Sequence, residues 1–253
     1  MKFSANLGFL WNDRPLPAAI HAAKAAGFHA VECHWPYAFP AADVRAALEE
    51  TGLAMLGLNT DRGNLDAGEN GLSALPGREV DARAAIDQAI DYSVQIDAQA
   101  IHVMAGFASG SEAAQTFEAN LKYACTQAAT KGKTILIEPL NRHDAPGYFL
   151  QTTDQAIATI AKLGHENLKL MFDCYHVGRT EGDIITRLDD LRDRIGHIQF
   201  ASVPTRGQPD QGEVNYRAVF EAIDAMGWPA PLGAEYKPTG PTDDSLEWMR
   251  SLR

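Results

Sequence analysis

Four consecutive apolar segments in the second half of the chain each carry one oxygen-bearing polar side chain near their end. The segments TILIEPLN, LKLMFDCYH, IGHIQFA and PLGAEYKP carry Glu138, Asp173, Gln199 and Glu235, respectively. A charged group within an apolar strand is costly to bury unless it is paired, protonated or bound to a metal. A salt bridge to a nearby lysine or arginine accounts for any one of these residues, but it accounts poorly for all four. We therefore predict that the four side chains form one site.

These four side chains offer only oxygen atoms as strong ligands. Two glutamates, an aspartate and a glutamine amide suit a hard divalent cation, Mg²⁺ or Mn²⁺, whereas zinc prefers histidine and cysteine. Three carboxylates around one dication leave an excess of negative charge, so an anionic substrate needs cationic groups nearby. We expect Arg206, Lys237 and His176 to supply them, and an arginine can hold a carboxylate through two hydrogen bonds. The simpler interpretations are a solvated loop arginine for Arg206 and a charge partner of Glu235 for Lys237.

Two further polar residues lie in predicted strands nearer the amino terminus. Glu32 lies in the second predicted strand and His102 in the fourth. Each is a candidate substrate contact or a partner that orients a ligand, and an internal hydrogen bond is the simpler interpretation of both. His197 shares the parity of Gln199 along its strand, so we expect a buried orienting histidine there rather than a ligand.

The elements that position these residues follow from hydrophobic periodicity. Short apolar runs cover residues 3–9, 30–35, 54–59, 100–105, 134–140, 168–174, 195–201 and 231–236. Helix-like segments follow at 16–26, 40–51, 79–96, 112–131, 152–163, 182–193, 215–226 and 242–251. A strand whose residues are apolar on both faces is typically buried on both sides. This occurs in a doubly wound sheet and in a closed barrel. Eight repeats in 253 residues favour one α/β domain over residues 1–253, a single-domain (β/α)8 TIM barrel with its site at the carboxyl ends of the strands.

One connection is longer than the others. Residues 60–78 link the third predicted strand to the third helix and include five glycines or prolines. Long connections in compact domains are usually functional. We predict a lid over the barrel mouth, and a surface excursion is the alternative.

Composition excludes several classes of protein. The 22 basic and 33 acidic residues give a formal net charge of −11, which disfavours binding to nucleic acid. The densest cationic stretch, residues 187–194, is interrupted by three aspartates. The apolar runs are too short to span a bilayer. Three cysteines without ligand spacing predict a reducing compartment without disulfides, so we expect a cytoplasmic protein with no membrane partner.

An ordered set of segments from residue 3 to residue 248 resembles the hydroxypyruvate isomerase family, within the xylose-isomerase-like sugar isomerases and epimerases. The segments are FSANLGF, VECHWPY, LNTDRGNLDAGENGLSALPGRE, IHVMAG, LIEPLN, DCYH, IGHIQ, GEVNY and GAEYKP. The resemblance implies a divalent metal held by Glu138, Asp173, Gln199 and Glu235. Many sugar epimerases of the superfamily carry histidine where Gln199 stands, whereas the hydroxypyruvate isomerase branch carries glutamine. The family's substrate-contacting histidine and loop arginine correspond to His176 and Arg206.

The expected reaction is an isomerisation of a small anionic hydroxy-oxo acid. A metal stabilises the enediolate as a Lewis acid while Glu138 and Glu235 move a proton between adjacent carbons. The substrate is hydroxypyruvate, which gives tartronate semialdehyde, or a 2-oxotetronate, and the segments divide between these two branches. The alternatives are a ketose 3-epimerase, a non-catalytic hydroxy-acid or sugar binding protein, and a phosphodiesterase on abasic DNA. Family relatives often associate, so a homo-oligomer is expected without a defined interface.

Overall fold

The computed structural model describes residues 1–252 and contains a closed barrel of parallel strands. The strands are β1 (Phe3–Asn6), β2 (Ala30–Glu32), β3 (Ala54–Met55), β4 (Gly57–Asn59), β5 (Ala100–His102), β6 (Thr134–Ile137), β7 (Leu168–Asp173), β8 (Ile195–Phe200) and β9 (Leu232–Ala234). Every strand pairing among the described residues is parallel, in the order β3-β2-β1-β9-β8-β7-β6-β5-β4. The predicted parallel α/β architecture is therefore confirmed.

The third predicted strand closes this barrel in two pieces. β3 pairs with β2, β4 pairs with β5, and a single residue, Leu56, separates the two pieces. The Leu56 amide still donates a hydrogen bond of 2.8 Å to the Val31 carbonyl. The sheet thus changes partners within one extended segment, and the eight predicted strands form a ring.

Helices cover the outside of the ring. They are α1 (Leu16–Ala25), α2 (Ala41–Thr51), α3 (Glu79–Ile96), α4 (Gly110–Ala129), α5 (Thr153–Leu163), α6 (Cys174–Thr180), α7 (Ile184–Leu191), α8 (Tyr216–Ala225) and α9 (Trp248–Ser251). None of the helices within residues 1–252 combines the length and the apolarity that crossing a bilayer requires.

One predicted strand and one predicted helix differ from the structure. The predicted strand 168–174 ends at Asp173, because the Asp173 carboxylate accepts the Tyr175 amide proton at 2.9 Å and caps the additional helix α6. The predicted helix 242–251 is a short 3₁₀ turn, Thr242–Ser245, followed by the single turn α9. The Ser245 carbonyl accepts the Tyr236 hydroxyl at 3.0 Å instead of a helical amide, so the helix is interrupted there.

The side chains that point into the barrel form layers. Successive side chains of a strand point to opposite faces, so residues two apart share a face. A small apolar cluster of Ala100, Leu136 and Met171 lies inside the barrel, on three adjacent strands. The residues two positions further along these strands are His102, Glu138 and Asp173. A layer of polar groups therefore lies above an apolar layer, at the carboxyl ends of the strands.

The long connection 60–78 lies at this same end of the barrel. Its Ser73 and Ala74 amides donate to the carbonyls of Met104 and Ala105, just beyond β5. Its Arg62 guanidinium stacks on the Trp35 ring at 3.8 Å from the centroid. The connection is thus docked beside the mouth, and its action as a lid stays a prediction.

Candidate active site

The four oxygen-bearing residues lie together at the carboxyl ends of neighbouring strands. Glu138 follows β6, Asp173 ends β7, Gln199 lies in β8 and Glu235 follows β9. Asp173 is paired in register with Gln199, and both Asp173 and Glu235 contact the Arg206 guanidinium. All four side chains are buried. The structure therefore brings the predicted ligand set into one cluster.

The Glu235 carboxylate is held by three donors. Its Oε1 accepts the Asn6 amide and the His34 ring Nε2, both at 2.9 Å, and its Oε2 accepts the Arg206 guanidinium. Burial by itself raises the pKa of Glu235, but the charge of Arg206 and the contact with His34 outweigh it. The pKa of Glu235 therefore lies below its ordinary value, and this carboxylate is ionised.

Glu138 has the opposite environment. Its Oε1 has no hydrogen-bond partner among residues 1–252, and the nearest histidine contacts are 3.6 Å from His102 and 3.8 Å from His176. Burial, and then the charges of Glu235 and Asp173, raise the pKa of Glu138 well above its ordinary value. Glu138 is thus the carboxyl group of this cluster that most readily holds a proton.

Asp173 lies between these two extremes. Burial and the neighbouring charge of Glu235 raise the pKa of Asp173 to about 8. Its Oδ1 is occupied by the amide that it caps, and its Oδ2 faces Arg206 at 3.5 Å and His176 at 3.7 Å. Only Oδ2 is therefore directed at the cluster.

His176 is oriented by the loop that follows β6. Both the backbone amide and the side-chain amide of Asn141 donate to His176 Nδ1, at 2.9 and 2.8 Å. Asn141 cannot turn its amide around, because its Oδ1 already accepts the amides of His143 and Asp144. Nδ1 must therefore be the unprotonated nitrogen of a neutral ring, which leaves the proton on Nε2. Burial, and then the charge of Arg206, lower the pKa of His176 to about 3, in agreement with a neutral ring.

This tautomer decides what His176 can do. Its Nε2 lies in a group with Glu138 and Asp173 whose ligand atoms are all within 4.8 Å of one another. A protonated Nε2 cannot coordinate a cation, but it can donate a hydrogen bond. His176 is therefore better suited to the predicted role of substrate contact than to that of a metal ligand.

Arg206 reaches the cluster from a tight turn after β8. Its φ of 57° is unusual for a residue with a side chain, and the turn is closed by its amide, which donates to Ser202 at 2.8 Å. The guanidinium lies between the rings of Phe9 and Tyr175, with its carbon 4.9 Å from each centroid. Its Nε is buried without a hydrogen-bond partner among the described residues. Arg206 thus retains one N–H donor that no group within residues 1–252 accepts.

The other three predicted substrate contacts are placed differently. Both ring nitrogens of the buried His102 lack hydrogen-bond partners among residues 1–252, and burial lowers the pKa of His102 to about 3. Glu32 lies in an internal network, with hydrogen bonds from Asn6 and Gln199. Lys237 is exposed at the rim, 5.6 Å from the Phe9 ring centroid, and makes no ion pair with Glu235. Of the three, His102 is the one that contacts Glu138.

Sequence reasoning assigned no role to three residues that shape this cluster, although Asn6 was noted as a weak candidate at a strand end. His34 contacts Glu235, Asn6 bridges Glu32 and Glu235, and Asn141 orients His176. The parity of His34 with Glu32 is the signal that could have placed it inside the barrel.

The donor set fits a divalent cation. Glu138 Oε1 and Gln199 Oε1 are buried oxygens without hydrogen-bond partners within residues 1–252, and they lie on strands that flank Asp173. Unpaired buried oxygens are costly unless something else satisfies them. A hard cation that takes oxygen ligands is such a partner.

Comparisons with known proteins agree with this architecture. The sequence model of a family described as xylose isomerase-like TIM barrel matches residues 20–252. The chain is 43% identical to the 2-oxo-tetronate isomerase of Cupriavidus necator, with 98% of this chain and 97% of the relative covered. It is 35% identical to the hydroxypyruvate isomerase of Escherichia coli, with 100% of both chains covered. A crystal structure from Brucella melitensis, described as an AP endonuclease of family 2, superposes with a TM-score of 0.95 at 33% identity, covering 100% of this chain and 99% of that one.

Proposed function

The chain belongs to the xylose isomerase-like TIM barrel family, and from this premise we propose that it is a metal-assisted isomerase of a small hydroxy-oxo acid. The reaction moves the carbonyl between the second and third carbons by proton transfer through an enediolate. The observation that carries the proposal is the contrast between two buried glutamates in one cluster. Glu235 has three hydrogen-bond donors, whereas Glu138 has none among the described residues. Two carboxyl groups whose environments separate their pKa values are typical of an acid and base pair.

The residues that would hold the cation are Glu138, Asp173, Gln199 and Glu235. Each contributes oxygen, and two of these oxygens lack other hydrogen-bond partners in the described chain. Mg²⁺ and Mn²⁺ suit such a set. When bound, the cation supplies Lewis-acid stabilisation of the negative charge that develops on the substrate oxygens.

The two glutamates then divide the proton transfer. Glu235 enters the reaction ionised, because Asn6, His34 and Arg206 stabilise its charge, and it accepts the proton from one carbon. Glu138 takes the acid role, because burial beside other carboxylates raises its pKa, and it delivers a proton to the adjacent carbon. The proton of the substrate hydroxyl moves to the neighbouring oxygen, so that the hydroxyl and the carbonyl exchange places. In the reverse direction the roles are exchanged. After a turnover Glu235 releases its proton to solvent and Glu138 takes one up, which restores both groups.

The anionic end of the substrate is recognised by two donors of the cluster that make no hydrogen bond within residues 1–252. Arg206 offers its Nε, and His176 offers the Nε2 proton that Asn141 maintains. A charge-assisted hydrogen bond from arginine suits a carboxylate. Lys237 at the rim adds positive charge on the path into the barrel. These groups favour a small hydroxy acid over an uncharged sugar.

A 2-oxotetronate is the better-supported substrate. Three relatives named 2-oxo-tetronate isomerase are 43%, 39% and 35% identical to this chain, and the relative named hydroxypyruvate isomerase is 35% identical. Both reactions need the same proton transfer, so the chemistry does not separate them. The length of the substrate beyond the third carbon is what differs.

Binding to duplex DNA is an alternative, because the similar Brucella melitensis structure is described as an AP endonuclease. This chain carries a formal net charge of −11, and within residues 1–252 Arg206 is the one arginine in direct contact with the cluster. A protein that neutralises DNA phosphates needs several cationic contacts. Charge therefore favours a small-molecule substrate.

A substrate panel tests the proposal. Hydroxypyruvate, 2-oxotetronates and ketoses are incubated with the enzyme and Mn²⁺ or Mg²⁺, and the products are identified by NMR. We expect isomerised hydroxy-oxo acids, with the highest kcat/KM for a 2-oxotetronate. Conversion of a ketose to its 3-epimer alone, cleavage of abasic DNA, or binding without turnover would each contradict the proposal.

A further inference from the structure

We propose that Glu32 is a positioning residue that turns the Gln199 amide so that its oxygen faces the cation site. This inference rests on the proposed metal-assisted function, and it concerns a residue that lies outside the ligand set. It also explains how a glutamine can serve as a ligand here, although its amide could present either the oxygen or the NH₂ group.

The orientation of a glutamine amide matters for metal binding. The oxygen and nitrogen ends of an amide are similar in shape, but only the oxygen has lone pairs for a cation. Gln199 Nε2 donates to Glu32 Oε1 at 2.7 Å, and Gln199 Oε1 is buried without a hydrogen-bond partner among residues 1–252. A carboxylate can only accept, so Glu32 selects the orientation in which the oxygen is left for another ligand.

Glu32 is itself prevented from rotating. The Asn6 amide donates to the same Oε1 at 3.0 Å, and the His197 ring Nε2 lies 2.6 Å from Oε2. Asn6 is fixed in turn, because its Oδ1 accepts the Gly8 amide at 2.9 Å. The carboxylate is 3% exposed and has partners on both oxygens. It therefore presents a rigid acceptor to Gln199.

The neighbouring strand leaves room for this pair. Gly233 on β9 lies opposite Gln199 in the sheet. A Cβ atom on Gly233 would lie 2.7 Å from both carboxylate oxygens of Glu32 and 2.8 Å from Gln199 Cγ. Glycine at this position thus allows the close approach of the Glu32 carboxylate to the Gln199 amide across the barrel.

Mn²⁺ affinity, measured by titration calorimetry on the full chain, tests the inference without any turnover. Glu32→Gln retains an amide oxygen that can accept from Gln199, so we expect Mn²⁺ binding close to that of the wild type. Glu32→Leu removes the acceptor. We expect it to weaken Mn²⁺ binding by about 10- to 100-fold, as loss of a partner behind a metal ligand typically does. The ¹⁵N–¹H resonances of the Gln199 side-chain amide are expected to shift in Glu32→Leu and to stay near their wild-type positions in Glu32→Gln.

A second pair of variants keeps the test decisive if Glu32→Leu does not fold. Gly233→Ala is expected to separate Glu32 from Gln199 and to weaken Mn²⁺ binding. Gly57→Ala is the matched control, since it makes the same change in another barrel strand, where the nearest atom to the new Cβ is 3.5 Å away. We expect Gly57→Ala to bind Mn²⁺ like the wild type. Thermal unfolding without metal reports any general loss of stability separately.

The outcomes separate this inference from the proposed function. Wild-type protein that does not bind Mn²⁺ overturns both the metal-assisted function and the role of Glu32. Wild-type protein that binds Mn²⁺, together with equally tight binding by Gly233→Ala and by Glu32→Leu where it folds, overturns only the role of Glu32. Weakened binding in these variants, with retained binding in Glu32→Gln and Gly57→Ala, supports it.

Discussion

Glu138 and Glu235 are buried to nearly the same extent, 6% and 5% exposed, but the protein treats their charges in opposite ways. Glu235 accepts hydrogen bonds from three side chains on three different segments, and its pKa is lowered. Glu138 receives no hydrogen bond from the described residues, and its pKa is raised. The contrast comes from partners rather than from burial. It supports the proposed roles of Glu235 as the proton acceptor and Glu138 as the proton donor.

The first prediction removes the acid or the base and keeps the ligand oxygen. Glu138→Gln and Glu235→Gln are each expected to lower kcat by about 10²–10⁴-fold, because general acid–base catalysis contributes that much. Mn²⁺ is still expected to bind in calorimetric titrations. Glu221→Gln, an exposed glutamate on α8, is the control and is expected to leave kcat unchanged. Near wild-type kcat in both site variants would remove the two glutamates from the chemistry.

The second prediction concerns Arg206, whose guanidinium contacts both Asp173 and Glu235. Arg206→Ala is expected to raise KM by about tenfold or more, since a lost hydrogen bond to a charged group is worth roughly 1.5–3 kcal/mol. The same variant is expected to bind Mn²⁺ more tightly, because a positive charge beside two of the ligands is gone. Arg192→Ala, on the exposed surface, is the control. An unchanged KM would exclude Arg206 from substrate recognition.

The third prediction concerns the tautomer of His176. Asn141→Asp keeps the shape of the side chain but places a carboxylate next to Nδ1, which favours a proton on that nitrogen. We expect a change in the ¹⁵N chemical shifts of His176 and a KM that is raised roughly 5- to 10-fold for one lost hydrogen bond. Arg142→Ala in the same loop is the control. If the ¹⁵N spectrum shows a proton on Nδ1 already in the wild type, the assigned tautomer is wrong.

The fourth prediction tests the packing that holds the strand ends. Phe200 is fully buried, and its ring contacts Phe3, Tyr216, Phe220 and Trp248. Phe200→Ala is expected to lower the free energy of unfolding by about 3–5 kcal/mol, measured by urea denaturation. Val80→Ala is the control, because the Val80 side chain is 83% exposed. We expect this variant to change the free energy of unfolding by less than about 0.5 kcal/mol. Similar losses in both variants would contradict the role assigned to the aromatic cluster.

Local patterns in the sequence were sufficient to predict the barrel and to place its strand ends. Alternating apolar runs and helices indicate parallel strands, and parallel strands end on one face. Glu138, Asp173 and Glu235 could therefore be grouped before any contact was known. The additional helix α6 was not predicted, because the apolar run continues through Cys174 and indicated a longer strand. The helix begins there because the Asp173 side chain accepts one hydrogen bond from the Tyr175 amide.

The partners within the site depend on closure of the ring and could not be predicted in this way. His34 and Glu235 are 201 residues apart in sequence, and Asn6 and Glu235 are 229 residues apart. Both contacts require the first strands to meet the last one. Sequence periodicity shows which face a side chain occupies, but it does not show which distant group it will meet.

The isotopic composition of the product tests the central claim, proton transfer between adjacent substrate carbons by Glu138 and Glu235, most directly. The enzyme converts its substrate in D₂O, the product is trapped by reduction, and mass spectrometry and NMR locate the label. A sample without enzyme corrects for spontaneous exchange. Because a carboxyl group exchanges its proton with solvent, we predict deuterium at the carbon that accepts the proton. Product without label at that carbon over many turnovers would instead indicate a direct hydride shift and would contradict the proton-transfer mechanism.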